Sequence, residues 1–383
     1  MNNRAGTYES LPAGYTAFIP NTLPPVPPIE YDDELHSLLS KADRNIARLD
    51  GITTVLPNPD LFIAMYVKKE ALLSSQIEGT QASLEGVLEF EADLTPKDDV
   101  KEIKEVINYI KALNYGIKKL DDNPVSLELI KEIHKILLEG ARGANLDPGE
   151  FRAFQNYIGA PGALVHEATF VPPPPDKVLP AMEGLERFLH STDNIPPLVK
   201  IALIHAQFET IHPFLDGNGR IGRLLISFYL VWKGILEKPL LYLSYYLKNN
   251  RNEYYDLLMK VRTKGAWEDW IKFFLKGVSQ TSLEAANTAG EIIRLKEDLI
   301  LKLYENSISS IYAVKLLDFL FDRPLISSTE IVDKLNISTV TANELVKKFE
   351  NIGILREITG KKRYKRYIFA NYVDIISRGT QNI

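Results

Sequence analysis

Residues 205–223, HAQFETIHPFLDGNGRIGR, join the end of one predicted helix to the start of the next. Pro213 disfavours helical backbone at the residue before it, so we expect the first helix to end just before His212. The turn Gly217-Asn218-Gly219 then runs directly into RIGRLLISFYLVWKG (220–234), which has a helical pattern. Glycines permit a positive φ and let backbone N–H groups converge without side-chain obstruction. The stretch therefore predicts two helices that meet at a glycine-rich turn.

This turn has the residue types of a phosphate site. The N-terminus of the second helix offers free N–H donors and a partial positive charge. Arg220 and Arg223 supply two guanidinium groups for phosphate oxygens. Asp216 is a hard oxygen ligand suited to a Mg²⁺ ion that bridges phosphates, and His212 is a base that works near neutral pH. The pattern predicts a nucleotide-phosphate and Mg²⁺ site beside a general base.

A zinc site is the competing interpretation of the same segment. His205, Glu209 and His212 are spaced i, i+4 and i+7, and two histidines with one glutamate can ligate zinc. A helix that ends before His212 would separate this residue from the other two. In that case we expect His205 and Glu209 to satisfy buried polar groups.

Composition limits the class of protein. The chain has 383 residues, a formal net charge of −5 and no cysteine. Disulfides, thiolate nucleophiles, zinc fingers and iron–sulfur clusters are therefore excluded. No apolar run approaches the ~18 residues of a membrane-spanning helix, and no signal-peptide pattern is present. We expect a cytoplasmic protein of two or three domains with no membrane segment.

The chain divides into a proline-rich start, a helical body and a different tail. Six prolines favour an extended arm over residues 1–29. Helical stretches are predicted at about 59–78, 100–119, 126–139, 177–191, 196–211, 219–233, 251–262, 266–277 and 281–305. Residues 151–175 interrupt them with a pattern typical of a short hairpin. The predicted units are an N-terminal region (1–99), a core domain (100–280), a connecting helix (281–306) and a C-terminal domain (307–383).

The C-terminal domain differs in charge from the rest. Residues 307–383 carry 12 Lys and Arg against 8 Asp and Glu. Two short helices at 329–335 and 339–350 precede ILREITGKKRYKRYIFA (354–370), which predicts two strands around a Thr-Gly turn. This is a winged helix-turn-helix pattern with a basic wing. Such a domain binds DNA phosphates or docks a protein, and the sequence leaves both open.

The segment 212–223 matches the pattern HxFx(D/E)GNGRxxR without a departure, and in this it resembles the Fic family. The helical core, the flap before the motif and the winged-helix tail are also similar to those of Fic proteins. The resemblance implies a mainly α fold: a Fic-type helical bundle with a short β-hairpin flap, plus a C-terminal winged helix-turn-helix domain. It implies a nucleotidyltransferase that moves AMP from ATP to a Ser, Thr or Tyr hydroxyl of a target protein.

The resemblance also implies roles for the motif residues. His212 removes the proton of the target hydroxyl, Asp216 binds Mg²⁺, and Arg223 holds the γ-phosphate. The anion hole would be formed by Gly217, Asn218 and Gly219. The ATP phosphates would also be bound by Arg220 and Arg223. Targets would bind along the flap, at about 153–171, by strand addition. A homodimer is compatible with the resemblance, since Fic proteins often pair.

A glutamate at the end of the 59–78 helix stands out. A carboxylate there meets the negative end of the helix dipole, so Glu78 is either a solvated surface acid or the partner of a cation elsewhere. Ser74, Glu78 and Gly79 match the inhibitory motif (S/T)xxxE(G/N) of Fic proteins. The resemblance implies that Glu78 pairs with Arg223 and obstructs the γ-phosphate. Some relatives use this glutamate to remove AMP, which stays open as an alternative.

Further alternatives concern the nucleotide and the tail. Tyr255 and Leu258 match adenine-pocket positions of some relatives. Arg262 stands where those relatives carry an adenine-contacting Asn, so the adenine contacts differ from theirs. Transfer of another phosphorylated group, and a DNA-binding regulator with a secondary Fic activity, also remain open.

Overall fold

The computed structural model describes residues 4–12, 14–55, 59–121, 123–160, 162 and 164–381. Helices dominate these residues, and the strands form two small antiparallel sheets. The predicted mainly α fold is therefore confirmed. No helix in this part of the chain combines the length and apolar composition needed to cross a bilayer.

The N-terminal arm contains a hairpin that the proline pattern concealed. Strands β1 (Gly6–Ser10) and β2 (Thr16–Pro20) pair antiparallel, so the backbone is extended there but folds back on itself, which the sequence reading did not predict. Pro20 ends β2, and a strand tolerates proline at its ends because no ladder hydrogen bond is lost. The N–H of Phe18 donates to the carbonyl oxygen of Val171 at 2.9 Å, which fixes the hairpin against the flap.

The helical body follows the predicted order. Its helices are α1 (Asp33–Val55), α2 (Pro59–Ile77), α3 (Leu84–Glu91), α4 (Val100–Lys119), α5 (Leu127–Leu137), α6 (Pro175–His190), α7 (Pro197–Ile211), α8 (Asn218–Trp232), α9 (Ser244–Asn249) and α10 (Arg251–Lys264). The helices that the sequence reading did not give as separate stretches are the long α1 and the short α3 and α9.

Helix α11, Trp267–Glu305, is continuous where two stretches, 266–277 and 281–305, were predicted. No proline lies between them to interrupt the backbone. Gly277 has a packing role instead, because an added Cβ would lie 2.6 Å from Cδ1 of Tyr246. Helix α1 packs along α11. The predicted boundary between core and connecting helix, at residue 280, therefore falls inside one helix.

The C-terminal elements form the predicted helix-turn-helix with a small sheet. They are α12 (Ile311–Asp322), β3 (Leu325–Ile326), α13 (Ser328–Leu335), α14 (Thr339–Asn351), β4 (Arg356–Glu357), β5 (Tyr367–Ile368) and α15 (Ala370–Ile376). The strand order is β3-β5-β4. Beyond α15 the chain returns to the helical body. There Nε2 of Gln76 donates to the carbonyl oxygen of Thr380 at 3.0 Å, and Nζ of Lys248 donates to that of Gln381 at 2.7 Å.

Helix α7 is the centre of the core. Residues 198–211 are buried without exception, and α6, α8, α10 and α11 pack around them. A helix that is buried around its whole circumference is enclosed by other elements of the core. Because α7 is enclosed, the residue that ends it is held firmly in place.

The flap is looser than a hairpin. Among its described residues, Ile158 and Phe170 form a single antiparallel bridge, and Val165–Glu167 forms a 3₁₀ turn. The predicted short hairpin is therefore present as one antiparallel bridge, without regular strands on either side. Prolines at 172–175 lack the N–H groups that would extend the ladder beyond Val171.

Gly116 provides a test of the packing of α4 on α8. An alanine Cβ there would lie 2.3 Å from Cζ of buried Phe228. We expect Gly116→Ala to lower the free energy of unfolding by about 1–3 kcal/mol through overpacking. The matched control is Gly51→Ala in α1, where no atom lies within 4 Å of the added carbon; it should raise stability by about 0.5–1 kcal/mol. Urea unfolding measures both, and an equal effect of the two changes would contradict the packing.

Candidate functional site

Helix α7 ends where Pro213 predicts. Its last residue is Ile211, and His212 adopts the left-handed conformation with φ 50° and ψ 59°. This conformation is uncommon for a residue other than glycine. The N–H of His212 still donates to the carbonyl oxygen of Phe208 at 2.9 Å. The side chain of His212 consequently leaves the helix at the start of the glycine-rich turn.

The side chain of Asn218 shapes this turn from within. Its Oδ1 accepts the Phe214 N–H at 2.9 Å, and its Nδ2 donates to the Phe214 carbonyl oxygen at 2.8 Å. Gly217, with φ 78°, precedes the first residue of α8. Because the amide of Asn218 is engaged with Phe214, only the backbone of this residue is left to face a ligand.

Two flap residues that the sequence reading did not single out hold the other side of the turn. Nε of Arg152 donates to the His212 carbonyl oxygen at 2.9 Å. Nδ2 of Asn156 donates to the carbonyl oxygens of His212 at 3.3 Å and Phe214 at 2.8 Å. Burial lowers the pKa of Arg152 to about 10, which leaves its guanidinium charged at neutral pH.

His134 is a further supporting residue that the sequence did not reveal. Its ring stacks on Phe214 with centroids 3.7 Å apart. Its Nδ1 accepts the Gly149 N–H at 2.8 Å, so the proton is on Nε2, which donates to the Asp216 carbonyl oxygen at 3.0 Å. Burial lowers the pKa of His134 to about 4, and the ring is neutral at pH 7. His134 thereby fixes the backbone of Asp216.

The ring of His212 is half-buried and neutral. Burial lowers its pKa to about 3, and the nearby cations Arg262 and Arg152 add to the effect. Nδ1 of His212 is buried and has no hydrogen-bond partner among the described residues. A neutral imidazole is able to accept a proton.

Arg220 is buried, with 1% of its side chain exposed, between two carboxylates. Its Nη2 lies 3.6 Å from Oδ1 of Asp216, and its Nη1 lies 3.5 Å from Oε2 of Glu105 in α4. Glu105 also accepts the Thr80 hydroxyl at 2.9 Å. Glu105 was not predicted, because no local pattern in α4 indicates that it reaches the motif.

Arg223 binds the last turn of α2. Its Nη2 lies 2.7 Å from Oε1 of Glu78. Its Nε donates to the Ser74 hydroxyl at 2.7 Å, and Nη2 donates to the Ser74 carbonyl oxygen at 2.9 Å. Burial alone would raise the pKa of the Glu78 carboxyl, but Arg223 holds it below its usual value. Gly79, with φ 97°, turns the chain away after this contact. Glu78 is therefore an ion-pair partner and not a solvated surface acid.

The Glu78 carboxylate lies against the first turn of α8. A Cβ added to Gly219 would be 2.3 Å from Oε1 of Glu78, so only glycine permits this approach. The first N–H groups of a helix have no partner within the helix and attract anions. Glu78 consequently occupies the position where the sequence predicts phosphate.

The predicted adenine-pocket residues lie in α10, next to the core. Leu258 is buried, whereas Tyr255 is 39% exposed. Arg262 donates through Nη2 to the Glu209 carbonyl oxygen at 2.9 Å, and its guanidinium lies 4.0 Å from the ring centroid of Phe170 in the flap. Arg262 therefore joins the end of α7 to the flap.

The zinc interpretation does not fit the geometry. His205 is buried with its Nδ1 3.0 Å from the Gly222 carbonyl oxygen and its Nε2 2.9 Å from the Tyr254 hydroxyl. Within the described residues, no group of three or more His, Asp or Glu side chains is arranged to hold a metal ion. His205 satisfies buried polar groups, as the alternative interpretation predicted. The same expectation for Glu209 is wrong, because its Oε1 has no hydrogen-bond partner among the described residues.

Comparison with known proteins identifies the family. The chain matches models described as Fic/DOC family N-terminal over residues 36–118, Fic/DOC family over 124–230, and HTH DNA binding domain over 314–367. The chain contains a Fic domain. The second match includes the whole 212–223 motif, and the third places a helix-turn-helix domain at the C-terminal end.

Curated relatives of this chain include proteins named adenylyltransferases. It is 30% identical over 231 residues to protein adenylyltransferase Fic of Drosophila yakuba, covering 56% of this chain and 42% of the relative. It is 29% identical over 182 residues to a probable protein adenylyltransferase of Aquifex aeolicus, covering 46% and 51%. The chain spans about half the length, or less, of these two relatives.

Solved structures share the fold. A Fic family protein from Desulfovibrio desulfuricans G20 superposes with a TM-score of 0.57 at 21% identity, covering 89% of this chain and 97% of that one. A fragment of Fic-1 from C. elegans gives a TM-score of 0.51 at 21% identity, covering 68% and 74%. At these identities the likeness establishes the fold alone.

Glu209, one turn before His212, yields a pH prediction. It is buried, and its Oε1 has no hydrogen-bond partner within the described residues. Burial raises its pKa to about 7, against the opposing effect of Arg223. A raised carboxyl pKa means that the folded state binds more protons than the unfolded state between about pH 4.5 and 7. Stability from this group therefore falls as pH rises through that window.

We expect Glu209→Gln to remove this dependence and to raise the free energy of unfolding at pH 8, relative to pH 5, by about 2 kcal/mol. Chemical unfolding of both proteins at the two pH values measures the difference. The control is Glu85→Gln, at an exposed position in the first turn of α3. This change should leave the pH dependence of the free energy of unfolding as it is in the wild type. Parallel pH profiles of wild type and Glu209→Gln would contradict the raised pKa.

Proposed function

We propose that this Fic protein transfers AMP from ATP to a Ser, Thr or Tyr hydroxyl of target proteins, and that Glu78 restrains the reaction. One observation carries the proposal. A half-buried, neutral histidine stands beside the N-terminus of α8, where two buried arginines converge. The names of the curated relatives support the same chemistry.

The reaction follows from these positions. His212 accepts the proton of the target hydroxyl as its oxygen attacks the α-phosphorus of ATP. The bond between that phosphorus and the bridging oxygen to the β-phosphate breaks, and pyrophosphate leaves. The N–H groups at the start of α8, with Arg220 and Arg223, neutralise the phosphate charge. Phosphoryl-type transfer depends mainly on such positioning and charge neutralisation.

Asp216 fits the Mg²⁺ that ATP brings. It is a single carboxylate, and Mg²⁺ in nucleotide sites is typically held by one or two carboxylates together with phosphate oxygens and water. Oδ1 of Asp216 accepts the Gly217 N–H at 2.6 Å, which orients the carboxyl group. Bound Mg²⁺ would neutralise phosphate charge during transfer. Asp216 would be its protein ligand.

Restraint follows from competition for Arg223. The guanidinium that would bind the γ-phosphate is bound to Glu78 and Ser74. A charge-assisted hydrogen bond is worth about 1.5–3 kcal/mol. ATP must displace the Glu78 carboxylate before its γ-phosphate reaches Arg223.

Labelling with α-³²P-ATP and Mg²⁺ tests the proposal. We expect Glu78→Gly to label itself and host-lysate proteins roughly ten- to a hundredfold faster than wild type, because the competing anion is gone. Glu78→Gly/His212→Ala should lose the label. The control is Glu91→Gly, since Glu91 also ends a helix but pairs with Lys68. No label from Glu78→Gly would contradict AMP transfer.

AMP removal is the second use of the same site. The Glu78 carboxylate lies against the first turn of α8, at the predicted phosphate position, where it could orient water as well as exclude ATP. Incubation of an AMP-modified protein without ATP separates the two activities. Release of AMP by wild type, but not by Glu78→Gly, would favour removal.

Three further proposals concern the surroundings of the protein. We propose that targets bind along the flap at 153–171, that the protein forms a homodimer, and that it is located in the cytoplasm.

DNA binding by the C-terminal domain is a further proposal, supported by the match to an HTH DNA binding domain. The exposed basic residues of the wing are Lys361, Lys362, Arg363 and Lys365. Arg366, which the sequence grouped with them, instead pairs with Glu330. A docked protein is the alternative occupant of this surface.

We expect the full chain to retard duplex DNA in a low-salt gel shift, with affinity falling steeply as salt rises. Replacing Lys361, Lys362 and Arg363 together by Ala should weaken binding at least tenfold, since each contributes to phosphate contact. The matched control replaces the exposed lysines Lys97, Lys101 and Lys104. No retardation at micromolar protein would favour a protein dock.

A further inference from the structure

A second glycine turn faces the motif. The chain Gly140-Ala141-Arg142-Gly143 follows α5, and both of its glycines have positive φ, 61° and 85°. A Cβ at Gly143 would lie 2.6 Å from Oδ2 of Asp216. The turn therefore lies directly against the carboxylate at the start of the phosphate site, and glycine is required for that approach.

Arg142 extends from this turn to the inhibitory segment. Its Nη2 lies 3.4 Å from the carbonyl oxygen of Glu78, and its Nε lies 3.6 Å from Oε1 of Glu105. Both distances exceed the ~2.7–2.9 Å of a strong charge-assisted hydrogen bond. The side chain of Arg142 is 54% exposed, whereas that of Arg223 is 2% exposed. Arg142 is thus a loosely held cation at the mouth of the site.

The charges of the site show why a third cation matters. Arg220 and Arg223 are in contact with three carboxylates, those of Glu78, Glu105 and Asp216. Two positive charges against three negative ones disfavour a polyanion. With Arg142 the site has three positive and three negative charges. When Glu78 leaves, the net charge of the site is positive.

Position indicates which phosphates Arg142 can reach. Arg223 binds the side chain of Glu78 while Arg142 contacts the backbone of the same residue. A phosphate that takes the place of the Glu78 carboxylate at Arg223 therefore lies within reach of the Arg142 side chain. His212 and the α-phosphate lie at the other end of the turn.

We propose that Arg142 is a third phosphate-binding arginine, which contacts the β- and γ-phosphates of ATP and the pyrophosphate that leaves. The inference rests on the proposed nucleotide site. Arg142 exchanges its contacts with Glu78 and Glu105 for phosphate oxygens when the nucleotide binds. It contributes to recognition of the diphosphate end and has no part in binding adenosine or the α-phosphate.

Nucleotide binding tests this assignment. Calorimetry would compare Glu78→Gly with Glu78→Gly/Arg142→Ala for Mg-ATP and for AMP. We expect the Kd for ATP to rise about tenfold or more and the Kd for AMP to stay unchanged, because AMP lacks the β- and γ-phosphates. Arg142→Lys should lie between the two, since lysine retains charge but not the forked geometry. The control is Arg187→Ala, at an exposed position in α6, which should leave both Kd values unchanged.

The outcomes separate the two proposals. Equal loss of ATP and AMP affinity would show that Arg142 only supports the local structure, and would overturn the assignment. Unchanged ATP affinity would overturn it as well while leaving the nucleotide site intact. If Glu78→Gly itself bound no ATP, the proposed function would fail together with the inference.

Discussion

The Arg223 guanidinium is buried between α8 and α2, and a buried charge must be paired. This requirement joins the motif helix to the end of α2 through Ser74 and Glu78. For the same reason, an anion that displaces the Glu78 carboxylate must itself bind Arg223. On the proposed function, the Glu78 carboxylate and a bound phosphate compete for the same guanidinium.

The turn between α7 and α8 has no ladder of its own to satisfy its carbonyl oxygens. A buried backbone polar group without a partner costs free energy, so side chains from distant parts of the chain supply the bonds. His134 holds Asp216, Arg152 and Asn156 hold His212, and Asn218 closes the turn on Phe214. The left-handed His212 is stable because these contacts determine its position on every side.

Features that depend on residues close together in the sequence could be predicted from the sequence alone. Pro213 indicated the end of α7, and the glycines indicated the turn into α8. The pairing of Glu78 with Arg223 came from resemblance, because 145 residues separate the two. His134, Arg152 and Glu105 carried no local signal, since their roles arise only when distant elements pack. The N-terminal hairpin was missed because its prolines lie at strand ends and beyond, where they do not prevent pairing.

Helix α11 connects the core to the winged-helix domain as one continuous helix. Its 39 residues run from Trp267 in the core to Glu305, and the chain beyond α15 returns to contact Gln76, two residues from Glu78. An α-helix turns by about 100° and advances about 1.5 Å for each residue. Insertion of one residue in α11 would rotate everything after it by that angle and carry Thr380 away from Gln76. The helical phase of α11 therefore fixes how the segments before and after it face each other, which constrains the number of residues in this helix.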